Sequence, residues 1–410
     1  MQFTVPVESF RAAVAAVAAV VETRSSIPII QNLRLDAQPC GIILTGTDLE
    51  IGIRTVVLDA DITDPGSHTL PAKALKNILA TVSGSVSLSF TPDSPKVFIK
   101  NGTSSFKLEG LPVDSFPTLP TGSGDVLCTL PAEALSRAIT LVLPGISTEQ
   151  SRFTLNAALI DQKDGELRFV STDGHRLALY RYPLEAPDFR MLAGRSTLEW
   201  LARNLKTGSV VLARIPKDET SYFTMYRHGD SLTEFIARNV TGNFPDYERV
   251  IPKIDEETLH LTVRREDLLG ALNKIAKFLD TRSRTVEFDP TNGDTLAVRN
   301  CVSGDDAINA EVTIPIREHV GTPAPTGWNA KYIIEFLRAV PDADLVTLHY
   351  KPALAATLSA DSEPNYTYVV MPMRINAVGE TKKQQQQEAE EEKAGAASNS
   401  GQTEDDNGTH

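Results

Sequence analysis

The chain has 410 residues, of which 41% are hydrophobic and 23% charged, and a formal net charge of -13, so it is long enough for two to four domains with cores of their own. Its three cysteines, Cys40, Cys128 and Cys301, lie far apart, with no Cys-x-x-Cys pair and no clustered histidines, which argues against a disulfide framework and against a zinc site. No apolar run approaches the length of a membrane span; Ala12 to Val21 follows Glu8 and Arg11 and reads as a buried helix rather than a signal peptide, leaving the cytoplasm as the expected compartment.

In chain order, Phe3 to Val5 predicts a short strand and Glu8 to Val21 a helix with Val14, Val17 and Val21 on one stripe. Alternating runs follow at Ile29 to Ala37, Ile42 to Thr47 and Leu49 to Ile62. Pro71 announces a second helix, Ala72 to Val82, which ends near Gly84. Strands at Val86 to Phe90, Lys96 to Lys100 and Ser105 to Glu109 complete the unit, and a Pro-, Gly- and Ser-rich linker, Leu111 to Gly124, carries Ser115-Phe-Pro117.

The pattern then restarts. Cys128-Thr-Leu-Pro-Ala-Glu-Ala-Leu-Ser-Arg-Ala-Ile139 matches Phe3-Thr-Val-Pro-Val-Glu-Ser-Phe-Arg-Ala-Ala-Val14 in character, and a second linker with Asn243-Phe-Pro245 precedes a third start at Leu261-Thr-Val-Arg-Arg-Glu-Asp267. The second helices recur as Ser196 to Lys206 and Ala330 to Val340. A period of about 125 to 135 residues is far longer than a solenoid repeat, so these are whole domains of one fold in tandem. The expected class is α+β, with three copies of a two-helix, antiparallel-sheet domain at 1–120, 126–250 and 256–376, followed by a tail at 380–410.

One stretch, Ser171-Thr-Asp-Gly-His-Arg-Leu-Ala-Leu179, is echoed by Leu44-Thr-Gly-Thr-Asp-Leu-Glu-Ile51 and by Leu296-Ala-Val-Arg-Asn300, where the Thr-Asp pair is gone. A histidine near a carboxylate is how many general bases are held, so Asp173, His175 and Arg176 form a candidate catalytic set. Asp-Gly between apolar runs is first a tight-turn signal, and no nucleophile elbow, zincin pair or phosphate loop completes a site. The turn reading is favoured: no catalytic residue, metal or cofactor is expected.

A net charge of -13 argues at face value against nucleic acid. The predicted helices nevertheless hold Arg11, Lys73, Lys76, Arg137, Arg203, Lys206, Arg265, Lys274, Lys277, Lys331 and Arg338 against six acids, four of which (Glu8, Glu133, Glu266 and Asp267) sit in first turns where the helix dipole favours them. Basic helices in an otherwise acidic protein suit a polyanion touched loosely by one surface.

At Ser171 to Leu179, with Leu44 to Ile51, Asn243-Phe-Pro-Asp-Tyr247 and Tyr368-Val-Val-Met-Pro-Met-Arg-Ile375, the chain resembles the β subunit of bacterial DNA polymerase III, the sliding clamp, from Met1 to about Ile375. The resemblance implies a non-enzymatic processivity factor: a head-to-tail homodimer whose six similar domains close a ring around duplex DNA, with helices lining the hole. It assigns DNA contacts to Arg24, Arg152 and Arg195; where clamps often carry an aromatic or basic side chain, this chain has Thr154 beside Phe153. It also implies a shallow groove for short peptide motifs of the replicative polymerase, the clamp loader and other replication and repair proteins. Leu155, Thr172, Gly174, His175, Arg176, Leu177, Pro245, Arg249 and Val250 would wall one side, and Asn329, Tyr332, Val369, Met371, Pro372, Met373 and Arg374 the other. Methionines give such a groove an adaptable apolar surface.

For the dimer, the resemblance implies that Phe106 and Leu108 pack on Phe278 and Leu279 of the second copy, with Lys96, Lys100 or Lys107 facing Asp305 and Asp306. The tail departs from the family: Glu380 to His410 holds the run Gln384 to Gln387, eight acids, three lysines and no large apolar residue, a composition expected to stay disordered.

Overall fold

A computed structural model describes residues 1–375 apart from 22–24, 91–93, 121–123, 150, 205–206, 217–221, 229–232, 280–283, 291–292, 302–307 and 323, and apart from the side chains of 216 and 222–228. Arg24, Lys206, Asp305, Asp306 and the tail at 380–410 therefore lie outside the described residues. The chain divides into two compact units, Met1–Tyr247 and the part from Glu248 onward.

The first unit opens with β1 (Gln2–Pro6), α1 (Val7–Ala18), β2 (Asn32–Gln38), β3 (Gly41–Thr47), β4 (Ile51–Val57), β5 (Asp61–Asp64), β6 (Gly66–Pro71), α2 (Ala72–Thr81), β7 (Ser85–Phe90), β8 (Lys96–Asn101) and β9 (Ser104–Glu109). It continues with β10 (Asp125–Pro131), α3 (Ala132–Val142), β11 (Ala157–Lys163), β12 (Glu166–Thr172), β13 (Arg176–Pro183), β14 (Phe189–Gly194), α4 (Arg195–Asn204), β15 (Ser209–Pro216), β16 (Tyr222–His228) and β17 (Glu234–Arg238). The second unit holds β18 (Leu259–Arg264), α5 (Arg265–Ile275), β19 (Thr285–Asp289), β20 (Thr295–Asn300), β21 (Glu311–Val320), β22 (Thr326–Asn329), α6 (Ala330–Ala339), β23 (Leu345–Tyr350), β24 (Ala356–Ala360) and β25 (Tyr366–Val370).

Sheet order repeats with the sequence. The runs β6-β2-β3-β4, β14-β11-β12-β13 and β22-β19-β20-β21 are three versions of one ladder; β1-β7-β8-β9, β10-β15-β16-β17 and β18-β23-β24-β25 are three versions of another. Among the described residues these pairings are antiparallel. In each copy the first N–H of the first helix finds the carbonyl just before the strand after the second helix: Val7 N–H to Gly84, Ala132 N–H to Gly208 and Arg265 N–H to Asp344. That bond satisfies one of the donors a helix start leaves open, where no side chain caps it.

Each helix pair is locked by a polar side chain of the first helix on the last carbonyls of the second. Arg11 donates to the Leu79 and Val82 carbonyls, Ser136 to Ala202 and Arg265 to Leu337. The helices bury their apolar stripes on the sheets, with Phe10, Val14 and Val17 of α1, Leu135 and Ile139 of α3, and Leu268 and Leu272 of α5. The first two copies form one unit because β17 pairs with β4, making a single eight-stranded sheet.

Several boundaries differ from expectation: α1 ends at Ala18, leaving Val21 beyond it, and β6 forms where no strand was expected. The predicted run Ile29 to Ala37 begins as a 3-10 turn, Pro28–Gln31, because proline fixes its φ and cannot donate to a ladder; the strand starts at Asn32. The run Leu49 to Ile62 divides into β4 and β5 at the exposed Leu58. Among the described residues, no helix is long and apolar enough to cross a membrane.

Candidate functional site

The Ser171 to Leu179 stretch is a turn between β12 and β13, and its wiring explains its residue types. Asp173 Oδ1 accepts from the His175 and Arg176 backbone N–H groups at 3.0 and 3.1 Å, the Thr172 hydroxyl donates to the Arg176 carbonyl at 2.7 Å, and Gly174 N–H returns a bond to the Thr172 hydroxyl at 3.1 Å. The β3–β4 turn repeats this bond for bond. Asp48 Oδ1 accepts from Glu50 and Ile51 N–H, the Thr47 hydroxyl donates to the Ile51 carbonyl, and Leu49 N–H donates to that hydroxyl. The Thr-Asp pair is thus a turn-building device that satisfies the backbone locally. Gly174 sits at φ 89, where a side chain is strained, whereas Leu49 accepts the same strain at φ 80.

Both carboxylate oxygens of Asp173 are engaged, Oδ1 by the turn and Oδ2 by Arg176 Nε at 2.9 Å, and both side chains are largely buried. His175 and Gly174 are exposed, as is Pro245; Thr172 and Leu155 are half-buried, and Arg176 and Leu177 are buried. Gly174, His175 and Pro245 are therefore what these residues offer to solvent. Arg152 lies over the turn, its Nη1 donating to the Asp173 carbonyl at 3.2 Å and its Nε 3.6 Å from Glu149.

In the second unit, Arg249 and Val250 are exposed. Asn329 caps α6 by accepting from the Lys331 N–H at 3.1 Å, and Tyr332 accepts the Tyr368 hydroxyl on its carbonyl at 3.2 Å. Val369 is buried and Met371 is 40% exposed. Beyond β25 the segment stays ordered because Met373 N–H donates to the Gly327 carbonyl at 2.8 Å, closing a bridge to β22. Gly327 is required by that close approach, since a Cβ there would collide with the Met373 carbonyl oxygen. Pro372 and Met373 are half-buried and Arg374 is exposed.

Arg195 is the first residue of α4, paired with Glu199 at 2.9 Å while Nη1 reaches the Ile146 carbonyl at 3.2 Å. Arg11 and Arg265 show that part of the basic count on the helices serves helix packing. Among the described residues, Lys73, Lys76, Arg203, Lys274, Lys331 and Arg338 of the α-helices, and Lys277 just after α5, are exposed cations. Phe106 and Leu108 are half-buried on β9, an edge strand; Phe278 is 40% exposed after α5, with Leu279 half-buried beside it. Sequence reasoning missed Asn300, whose amide donates to the Phe278 and Ile308 carbonyls and so fixes that apolar patch.

Known proteins agree with this architecture. Residues 1–120 match the model of the DNA polymerase III beta subunit N-terminal domain, and 129–246 that of its central domain. The beta sliding clamp of Pseudomonas putida is 29% identical over 381 residues, covering 92% of this chain and all of that one; that of Escherichia coli K12 is 27% identical over 378 residues with the same coverage. The crystal structure of the DNA polymerase III subunit beta from Pseudomonas aeruginosa superposes with a TM-score of 0.83 at 27% identity, covering 91% of this chain and all of that one. A sliding clamp from the same organism, crystallised bound to griselimycin, gives 0.81 at 27% identity, over 91% and 99% of the two chains. An α+β fold built from repeated domains and these matches over nearly the whole folded chain have one explanation: the chain belongs to the DNA polymerase III β-subunit family, the sliding clamps that act as DNA polymerase processivity factors.

Proposed function

We propose that two copies of this chain close into a ring of six domains, at 1–120, 126–250 and 256–376 of each, around duplex DNA. The observation that carries the proposal is the pairing of β17 with β4, in register Phe235 to Ile53 and Ile236 to Gly52, with Arg54 paired to Glu234 at 3.4 Å and Thr55 to Thr233 at 2.8 Å. By the repeat, β9 is the counterpart of β17, and β21 is the counterpart of β4. Among the described residues β9 has no neighbour beyond β8, and the Glu311–Pro315 half of β21 pairs on one side alone, with β20. An open edge of this kind is a template for a strand from another chain. Joining β9 of one protomer to β21 of its partner repeats between chains the junction already made within one, and Phe106, Leu108, Phe278 and Leu279 are its proposed apolar contacts.

The helices then supply the DNA-facing surface, with Arg152, Arg195 and Arg24 on the phosphate backbone and no base contacts needed, because a closed ring tethers by topology. Peptide motifs of the replicative polymerase, the clamp loader and other replication and repair proteins are proposed to bind at Leu155, Thr172, Gly174–Leu177, Pro245, Arg249 and Val250 and at Asn329, Tyr332, Val369 and Met371–Arg374. The family contains a clamp crystallised with a bound ligand, griselimycin, which supports a ligand-accepting surface. The reading includes no catalysis and a cytoplasmic location. The alternative, an enzyme using Asp173, His175 and Arg176, has no support, since Asp173 is consumed by the turn and by Arg176.

The test is native mass together with DNA retention. A stable dimer that stays on closed circular DNA and slides off linear DNA supports the ring; a monomer, or equal loss from both DNAs, overturns it.

A further inference from the structure

Two histidines 89 positions apart in sequence meet on one face of the second unit's sheet. His260 on β18 and His349 on β23 are direct cross-strand partners, and their Nδ1 atoms lie 2.8 Å apart with the rings edge to face. His349 Nε2 is held by the Ser359 hydroxyl of β24 at 3.0 Å. Leu261 and Val263 point to the helix side and are buried, so the alternation of the strand puts His260 and His349 on the opposite, half-exposed face.

We propose that His260 and His349 form a two-histidine site for a divalent transition-metal ion of the imidazole-preferring class, zinc, nickel or copper. Two nitrogens bound at about 2.0 to 2.1 Å to one ion, roughly 90 to 110° apart, stand about 2.8 to 3.4 Å from each other, and the cross-strand pair already stands at 2.8 Å. Whichever tautomers the pair adopts, one Nδ1 lone pair already faces the other ring. The Ser359 hydroxyl, able to donate or accept, fixes His349 as an outer partner of the kind that orients ligating histidines. Turning both lone pairs to one point replaces the hydrogen bond by two coordination bonds. The proton between the rings leaves Nδ1, solvent returns one to Nε2 of that ring, and both imidazoles remain neutral, so binding at neutral pH releases no net proton. Among the described residues no group of three or more His, Cys, Asp or Glu is placed around one ion; water fills the remaining positions, which gives a weak, exchangeable site rather than a structural zinc.

The surroundings suit a cation. On the same face Lys351 is neutralised by Asp255 at 2.8 Å and Glu257 at 3.2 Å, and the β21 register sets Glu318 opposite Thr262 and Val320 opposite His260. Harder ions such as magnesium find no oxygen cage here. A bound ion would cross-link β18 to β23 in the sheet that continues through β24 to β25.

The experiment is calorimetric titration of tag-free protein carrying Cys40→Ser, which removes the exposed thiol, with nickel chloride alone and then zinc chloride alone at pH 7.5, alongside thermal midpoints. One ion per chain, and a midpoint raised by several degrees, are expected. His260→Asn and His349→Asn, each checked for native mass, should lower the affinity at least tenfold and abolish the midpoint shift, while His319→Ala, on the neighbouring strand, should leave both unchanged. Unaltered binding in the His260→Asn/His349→Asn double variant, or no ion bound by the parent at millimolar metal, overturns the site.

Discussion

Arg152 donates from Nη1 to the backbone carbonyl of Asp173 at 3.2 Å, so the residue proposed to touch DNA and the turn proposed to receive partner peptides are one hydrogen bond apart. DNA phosphate at Arg152 would compete with that bond. Arg152→Ala is therefore expected to weaken DNA retention and also to change peptide affinity a few-fold, with a thermal midpoint close to the parent because the side chain is about half exposed. Peptide titration with and without a DNA duplex checks the coupling; identical affinities in parent and variant would remove it.

Asp173 stabilises its turn through three bonds, two to backbone N–H groups and one to Arg176. Asp173→Ala leaves those donors short of an acceptor next to a buried guanidinium and should cost about 3 kcal/mol, near the lower end for breaking a buried pair. Asp173→Asn keeps an acceptor oxygen and should cost less. Gly174→Ala, at φ 89 and with a new Cβ 3.0 Å from Arg152 Nη1, should cost roughly 1 kcal/mol through strain. Denaturant midpoints rank the three; equal losses for Asp173→Ala and Asp173→Asn would contradict the turn account.

Much of this was legible in the sequence because it is local. Pro131-Ala-Glu133 and Thr172-Asp-Gly174 fix a strand-to-helix step and a turn from residues close in the chain, and their repetition announced the domains. Pro28 and Leu58 shifted boundaries because turn chemistry outweighed an apolar run. What spacing could not show were contacts made by topology. Glu234 meets Arg54 across 180 positions, and His260 meets His349 across 89. Arg11 and Arg265 counted as basic surface in the sequence; their distant carbonyl partners, Leu79 and Leu337, show that they also fasten helices.

Stability should fall as the solution is acidified past the histidine range. Burial, and then the neighbouring His260, hold His349 below the ordinary histidine value, and burial does the same for His68 and His319. Each takes up its proton more readily unfolded than folded. The unfolded chain thus binds more protons as the pH drops through about 6.5, and stability present above that value is lost progressively below it. His349→Asn should flatten part of the decline. Denaturant midpoints between pH 8 and 5 check this; a profile unchanged by the substitution would assign the loss to other groups.

Dimerisation should depend on two apolar patches at the open strand edge. Phe106 and Leu108 share the face of β8 that buries Val97 and Ile99, yet they remain half-buried because, among the described residues, no strand pairs with β9 beyond β8. Phe278, whose carbonyl accepts from the Asn300 amide, and Leu279 are the pair in the third copy proposed to meet them. Burying four such side chains contributes at most about 1.5 to 3 kcal/mol each, several kcal/mol per junction, and a ring has two junctions. The exposed Lys96, Lys100 and Lys107 are rim charges, worth well under that individually. Phe278→Ala with Leu279→Ala should yield folded monomers, and so should Phe106→Ala with Leu108→Ala, whereas Lys100→Ala should remain dimeric with a weaker response to salt. Sedimentation at micromolar protein distinguishes these outcomes, and far-ultraviolet dichroism confirms that the monomers are folded. An unaltered dimer in both double variants would place the junction elsewhere on the surface.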